Sequence, residues 1–122
     1  MTRALLGLVM LAACSDPPPP PPRRADPIAG ALVFQEKCAN CHTIGSGMRT
    51  GHDLHGVTKR RPHPWVLRML KDPIGMTKTD PIARVELAAA KNVPMPPPNL
   101  TDAQIDDVLA FIEQESAHVP AR

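Results

Sequence analysis

Cys38-Ala39-Asn40-Cys41-His42 places two thiols three residues apart and an imidazole directly after the second. Several chemistries use such a cluster. A dithiol redox pair needs the mouth of a βαβ unit, and no segment of this chain alternates at the strand period. A structural zinc site needs a second ligand pair; the one other Cys is Cys14, near the N-terminus. His52 and His55 could complete a site, but three residues apart in a Gly-containing loop they read as surface histidines. A Cys38–Cys41 disulfide suits an oxidising compartment but leaves His42 unexplained. Covalent attachment of haem uses all three residues. Two thiols on one side of a helical turn add across the two vinyl groups, and His42 is then the proximal iron ligand.

Iron in an electron carrier needs a second axial ligand, and a thioether stabilises the reduced metal. Met95 is the first choice. It sits in Pro94-Met95-Pro96-Pro97-Pro98, where fixed φ angles reduce the entropy lost on ordering the loop. Met76, in Asp72-Pro73-Ile74-Gly75-Met76, is the runner-up. Met48 and Met69 read as loop and core residues that fill gaps. Trp65, the one indole, is assigned to the haem rim with its N–H on a propionate, against plain core packing. Lys59-Arg60-Arg61 could meet propionates or ring a docking face, though such runs are commonly solvated. His63 and His118 receive no role.

These residues need elements to hold them. Asp26-Pro27 reads as an N-cap followed by proline at the first helical position. In that helix Ile28, Leu32 and Gln35 share one face and Ala31, Phe34 and Cys38 the next. Thr43 to Thr58 reads as loop, and Pro64 to Lys71 as a short helix. Asp80-Pro81 opens another helix to about Lys91, with Ile82, Val85 and Ala89 on one side. Four prolines between Val93 and Asn99 exclude regular helix there. Thr101 and Gln104 form a capping box for the last helix, whose apolar stripe is Ile105, Val108, Leu109 and Ile112 with Phe111 at its edge. The expected domain is therefore all-α: about four short helices and long loops wrapped around one covalently attached haem. Such loops are unusual unless they enclose something. Aromatic residues are 2% of 122, and a large apolar disc would replace the missing aromatic core.

Residues 1–13 form a leader with Arg3 as its positive region and an apolar stretch too short to span a bilayer. Leu11-Ala12-Ala13-Cys14 resembles a bacterial lipobox, in which Cys14 becomes the lipidated first residue of the mature chain. An ordinary signal cut near Ala13 is the alternative, but it leaves a free exposed thiol outside the cytoplasm. Residues 14–26 then form the lipidated Cys and a tether, in which Pro17–Pro22 should be an extended polyproline spacer of roughly 20 Å. A net charge of +2 does not argue for nucleic acid. Its distribution is uneven: Pro27–Leu100 carries ten Lys/Arg against five Asp/Glu, and Thr101–Arg122 five acidic residues against one Arg. A basic body suits steering toward an acidic docking face.

With these features in place, Pro27–Glu115 resembles a class I c-type cytochrome domain, a monohaem cytochrome c. Gly30 and Phe34, eight and four residues before Cys38, resemble the family's first helix. CANCH is its attachment motif. Val93-Pro94-Met95-Pro96 resembles the loop of the distal Met, and Leu100 to Ile112 the C-terminal helix, whose aromatic packs where the first helix has its Gly. The family usually has Gly-Pro after the motif, with the Pro carbonyl accepting from the proximal His; here His52 follows Gly51. The resemblance implies a cytochrome domain at 27–117, with 118–122 as a tail. It implies haem c on Cys38 and Cys41 and axial His42 and Met95. It implies an electron carrier rather than an enzyme, a monomer moving single electrons between redox proteins of a respiratory chain. Cytochrome maturation and the lipobox both place it on the periplasmic side of the cell envelope, membrane-bound through Cys14. An open distal site, giving a gas sensor or peroxidase-like enzyme, is the alternative.

Overall fold

The computed structural model describes residues 16–120. The leader at 1–13 and the lipidation reading at Cys14 fall outside them. Among the described residues the fold is all-helical, as expected: α1 (Pro27–Lys37), α2 (Val57–Arg60), α3 (His63–Lys71), α4 (Pro73–Thr79), α5 (Pro81–Ala89) and α6 (Asp102–His118). No helix among them is long and apolar enough to cross a membrane.

The helix starts follow local chemistry. Asp26, Asp72 and Asp80 each precede a proline, and their carboxylates accept from Ile28, Gly75 and Ala83 N–H. These donors have no partner inside their own helix. Thr101 accepts from Gln104 N–H at 3.2 Å while the Gln104 side chain accepts from Thr101 N–H at 2.9 Å, the reciprocal cap expected.

Four helices were expected, and α1, α3, α5 and α6 lie where the sequence put them. The chain adds α2 and α4. Gly75 and three β-branched residues, Ile74, Thr77 and Thr79, make α4 intrinsically weak. It forms because Asp72 caps it and because Pro73 and Met76 are buried against its neighbours. The inward face of α5 also differs. Ile82 and Val85 point outward, 41% and 69% exposed, whereas Ala83 and Ala90 are buried and Leu87 is half-buried. Ala83, Leu87 and Ala90 instead line a cavity between the helices, so the side that faces inward is set by that space and not by the larger residues opposite.

The helices α1 and α6 cross at Gly30. A Cβ there would overlap the Asp107 carbonyl and lie 2.9 Å from Phe111 Cβ. Phe34 and Phe111 meet beside the crossing with centroids 5.5 Å apart. The predicted α6 stripe is buried, with Ile105, Val108, Leu109 and Ile112 clustered with Cys38 and Val66. Asp107 is the one buried charged residue described, and its carboxylate takes Arg23 Nη1 and Nη2 at 2.8 and 2.7 Å and Asp26 N–H at 2.7 Å. Residues 23–26, read as tether, are thus tied to α6. The helix α6 itself runs to His118, and His55 donates from Nε2 to the Val119 carbonyl at 2.7 Å.

Candidate functional site

The C-terminus of α1 passes directly into the CANCH turn. Cys38 N–H and Ala39 N–H both donate to the Phe34 carbonyl at 2.9 Å, and Cys41 and His42 N–H return to the Cys38 carbonyl at 3.1 and 2.9 Å. One tight turn therefore carries both thiols and the imidazole. Both thiols are free, with Cys38 buried and Cys41 half-buried. Burial pushes the Cys38 thiol up to about 11, so at neutral pH it is uncharged.

The long loop after the motif holds His42 in one tautomer. Its Nδ1 lies 2.7 Å from the His52 carbonyl. A carbonyl only accepts, so Nδ1 carries the proton and Nε2 keeps its lone pair for a metal. The bond that proline makes in the resembling family is made here by His52. Gly51 is seated against the ring face: a Cβ would lie 2.5, 2.8 and 2.9 Å from Cε1, Nδ1 and Nε2. Gly51 N–H donates to the Cys41 carbonyl at 2.8 Å, which fastens the loop to the turn.

Asp53, which had no place in the sequence reading, organises that loop. Its Oδ1 accepts from Gly45 and His55 N–H at 2.7 and 2.9 Å, and Oδ2 accepts from Gly47 N–H at 2.7 Å. Burial raises its pKa, but these three N–H donors outweigh that and hold the carboxyl below its usual range. Gly45 and Gly47 have φ of +86° and +88°, a conformation side chains disfavour. The available signal was the alternation Gly45-Ser46-Gly47 with Asp53 six residues further on, the one acidic residue of the loop. His52 and His55, weighed as zinc ligands, instead donate to backbone carbonyls of α5 and of the α6 end. Among the described residues no group of three His, Cys, Asp or Glu side chains is arranged to hold a metal ion.

Cys38, Cys41, His42, Trp65 and Met95 all line one cavity of about 240 Å³. Its walls are largely apolar, built from Leu54, Val66, Leu70, Leu87 and Leu109 among others. Met95 is half-buried there and Met69 also lines it, which gives Met69 a place at the cavity as well as in packing. Met76 is not among the lining residues. It is 2% exposed in the body of α4, while Met48 is 48% exposed on the surface.

The polar rim has a distinct character. Arg61 lies over the Trp65 ring, 5.4 Å from its centroid, and Arg61 Nη2 pairs with Glu86 at 2.8 Å. Arg61 Nε and Trp65 Nε1 are nevertheless buried without a hydrogen-bond partner. The Asp80 carboxyl is held below its usual range first by Ala83 N–H, against the opposing effect of burial. The Trp65 indole adds to this lowering, but the pair lacks hydrogen-bond geometry. Two unsatisfied donors lining an apolar cavity call for hydrogen-bond acceptors. A flat apolar group carrying carboxylates, fixed by two thiols and an imidazole, fits this donor set.

The chain is similar to known proteins in sequence and fold. The family described as cytochrome c matches residues 28–116. A subunit of a cbb3-type cytochrome c oxidase, CcoP of Rhodobacter capsulatus, is 32% identical over 96 residues, covering 69% of this chain and 28% of that protein. Cytochrome c of Ginkgo biloba is 47% identical over 38 residues, 30% of this chain and 34% of its own. The chain thus spans about a third of the length of the curated relatives it matches. Among solved structures, the cytochrome c domain of the pp3183 protein from Pseudomonas putida is 32% identical with a TM-score of 0.63, covering 72% of this chain and 88% of that one. Cytochrome c from Rhodothermus marinus has a TM-score of 0.69 at 23% identity, covering 75% and 78%, a likeness of fold.

Proposed function

Because the chain belongs to the cytochrome c family, we propose that it is a single-electron carrier of the bacterial envelope, with haem c bonded through Cys38 and Cys41. One observation carries the reading: both thiols, the free Nε2 of His42 and the Met95 loop converge on a single apolar cavity. Bound haem supplies the one-electron couple, and the protein supplies everything that tunes it.

His42 would hold the iron through Nε2, because its other nitrogen is committed to the His52 carbonyl. Met95, which lines the same cavity, would supply a thioether to the iron from a loop stiffened by four prolines. Met76 would have to leave a fully buried position to do the same. Trp65 and Arg61 provide the two donors for carboxylates at the rim. The apolar walls exclude water, so little solvent has to reorganise when the charge changes. A relative that is a cbb3-type oxidase subunit supports a respiratory oxidase as the electron acceptor. The basic body suits an acidic face on that partner, and the lipobox-like Cys14 would keep the carrier at a membrane on the periplasmic side.

Met95→Ala in protein made with the cytochrome maturation machinery tests the ligand assignment. The expected result is intact covalent haem, a lowered reduction potential and loss of the Met-to-iron charge-transfer band. An unchanged band would move the distal ligand elsewhere, with Met69 and Met76 next in line. A chain that emerges from maturation without covalent haem would end the proposal.

A further inference from the structure

Position 52 is where this chain departs from the pattern it otherwise resembles, and its imidazole is engaged. His52 Nε2 donates to the Glu86 carbonyl of α5 at 2.8 Å, while the His52 carbonyl accepts from His42 Nδ1 at 2.7 Å. One residue therefore grips the proposed axial ligand with its backbone and α5 with its side chain. The Glu86 carbonyl already accepts Ala90 N–H within the helix at 3.0 Å. A carbonyl has two lone pairs, so α5 does not need His52 to satisfy it. What the second bond restrains is the loop. The same residue of α5 is fixed from the other side, since its carboxylate pairs with Arg61, which lies over Trp65.

We propose that His52 is a positioning residue for His42: its imidazole, bonded to α5, does the work that a proline ring would do at this position. Proline would restrict the loop by locking φ. Histidine has no such lock, and the carbonyl it presents to Nδ1 would be freer to tilt away without the Glu86 bond. That carbonyl sets the tautomer of His42 and raises its basicity toward a metal. The inference rests on His42 being the axial ligand.

The test uses full-length haem-loaded protein and three forms: wild type, His52→Ala and His52→Pro. Haem content comes from the pyridine haemochrome, and two further readouts follow, the solvent exchange of the His42 Nδ1 proton by NMR and the reduction potential. In His52→Ala the proton should exchange faster and the potential should rise, because a weaker hydrogen bond leaves His42 a poorer donor to the oxidised iron. In His52→Pro both should return to wild-type values, which a simple loss of packing would not produce. Wild-type exchange and potential in a haem-loaded His52→Ala would overturn the inference alone. So would a haem-loaded His52→Pro form whose exchange is faster and whose potential is higher than wild type, and this arm stands even if His52→Ala does not mature. A wild-type chain without covalent haem would overturn the parent reading, and this inference with it.

Discussion

Cys38 and Gly51 are two small residues whose surroundings make them unusually sensitive. While unmodified, the Cys38 thiol is raised by burial from 9.0 to about 11, so its thiolate fraction at pH 8 falls about a hundredfold against an unfolded chain. Native Cys38 should alkylate about that much more slowly than in denaturant, as read by mass spectrometry of quenched samples. The sign for stability follows. The favourable contribution of the neutral thiol is complete below pH 9 and is lost as pH rises toward 11. Gly51→Ala would press a methyl group on the His42 ring. It should destabilise by about 1–3 kcal/mol, as overpacking does, and, on the proposed ligation by His42, shift the EPR spectrum of the oxidised haem-loaded protein. The grouping of Cys38, Cys41 and His42 was plain from spacing. The role of Gly51 was not, because it depends on a ring nine positions away being folded onto it.

Among the elements, the crossing of α1 and α6 carries the sharpest demand. Gly30→Ala would put its Cβ into the Asp107 carbonyl, and because the obstacle is backbone it cannot rotate aside. A loss of about 1–3 kcal/mol in urea unfolding is expected, and Gly30→Leu should fail to fold. Thr101→Ala removes one side of the α6 cap and should cost about 1 kcal/mol in the same assay. Helix starts were legible because their chemistry is local. The tripeptide Asp-Pro-Ile occurs at 26, 72 and 80, and each occurrence caps a helix. The middle one is hard to read as a helix start because Gly75 and the threonines that follow argue against helix, and the burial of Met76 that overrides them is a tertiary fact. The facing of α5 was missed for a related reason. Hydrophobicity favours Ile82 and Val85, but the side of α5 that lines the cavity carries Ala83, Leu87 and Ala90.

For the whole molecule, three carboxylates held below their usual range, Asp53, Asp80 and Asp107, shape behaviour in acid, and two of them, Asp107 and Asp53, tie separate segments together. Asp107 is held below the usual range chiefly by Arg23, then by Asp26 N–H, with burial opposing. Asp53 is lowered by its three loop N–H donors despite burial. Both contribute stability that is present above their unfolded value of 3.8 and lost as pH falls through the depressed folded one. Asp107→Asn should therefore be less stable than wild type at pH 7 by urea titration, and its stability should fall less between pH 5 and 2.5. Equal slopes over that range would refute the assignment. The Arg23–Asp107 pair also decides where the molecule can pivot. With guanidinium and carboxylate locked in a two-pronged grip, the first free joint lies before Arg23 rather than at the start of α1. The six prolines then act as a boom bolted to the back of α6, on a side apart from the cavity. Arg23→Gln should unbolt it, with the amides of Arg24 to Asp26 losing domain-like 15N relaxation while the rest of the spectrum stays in place.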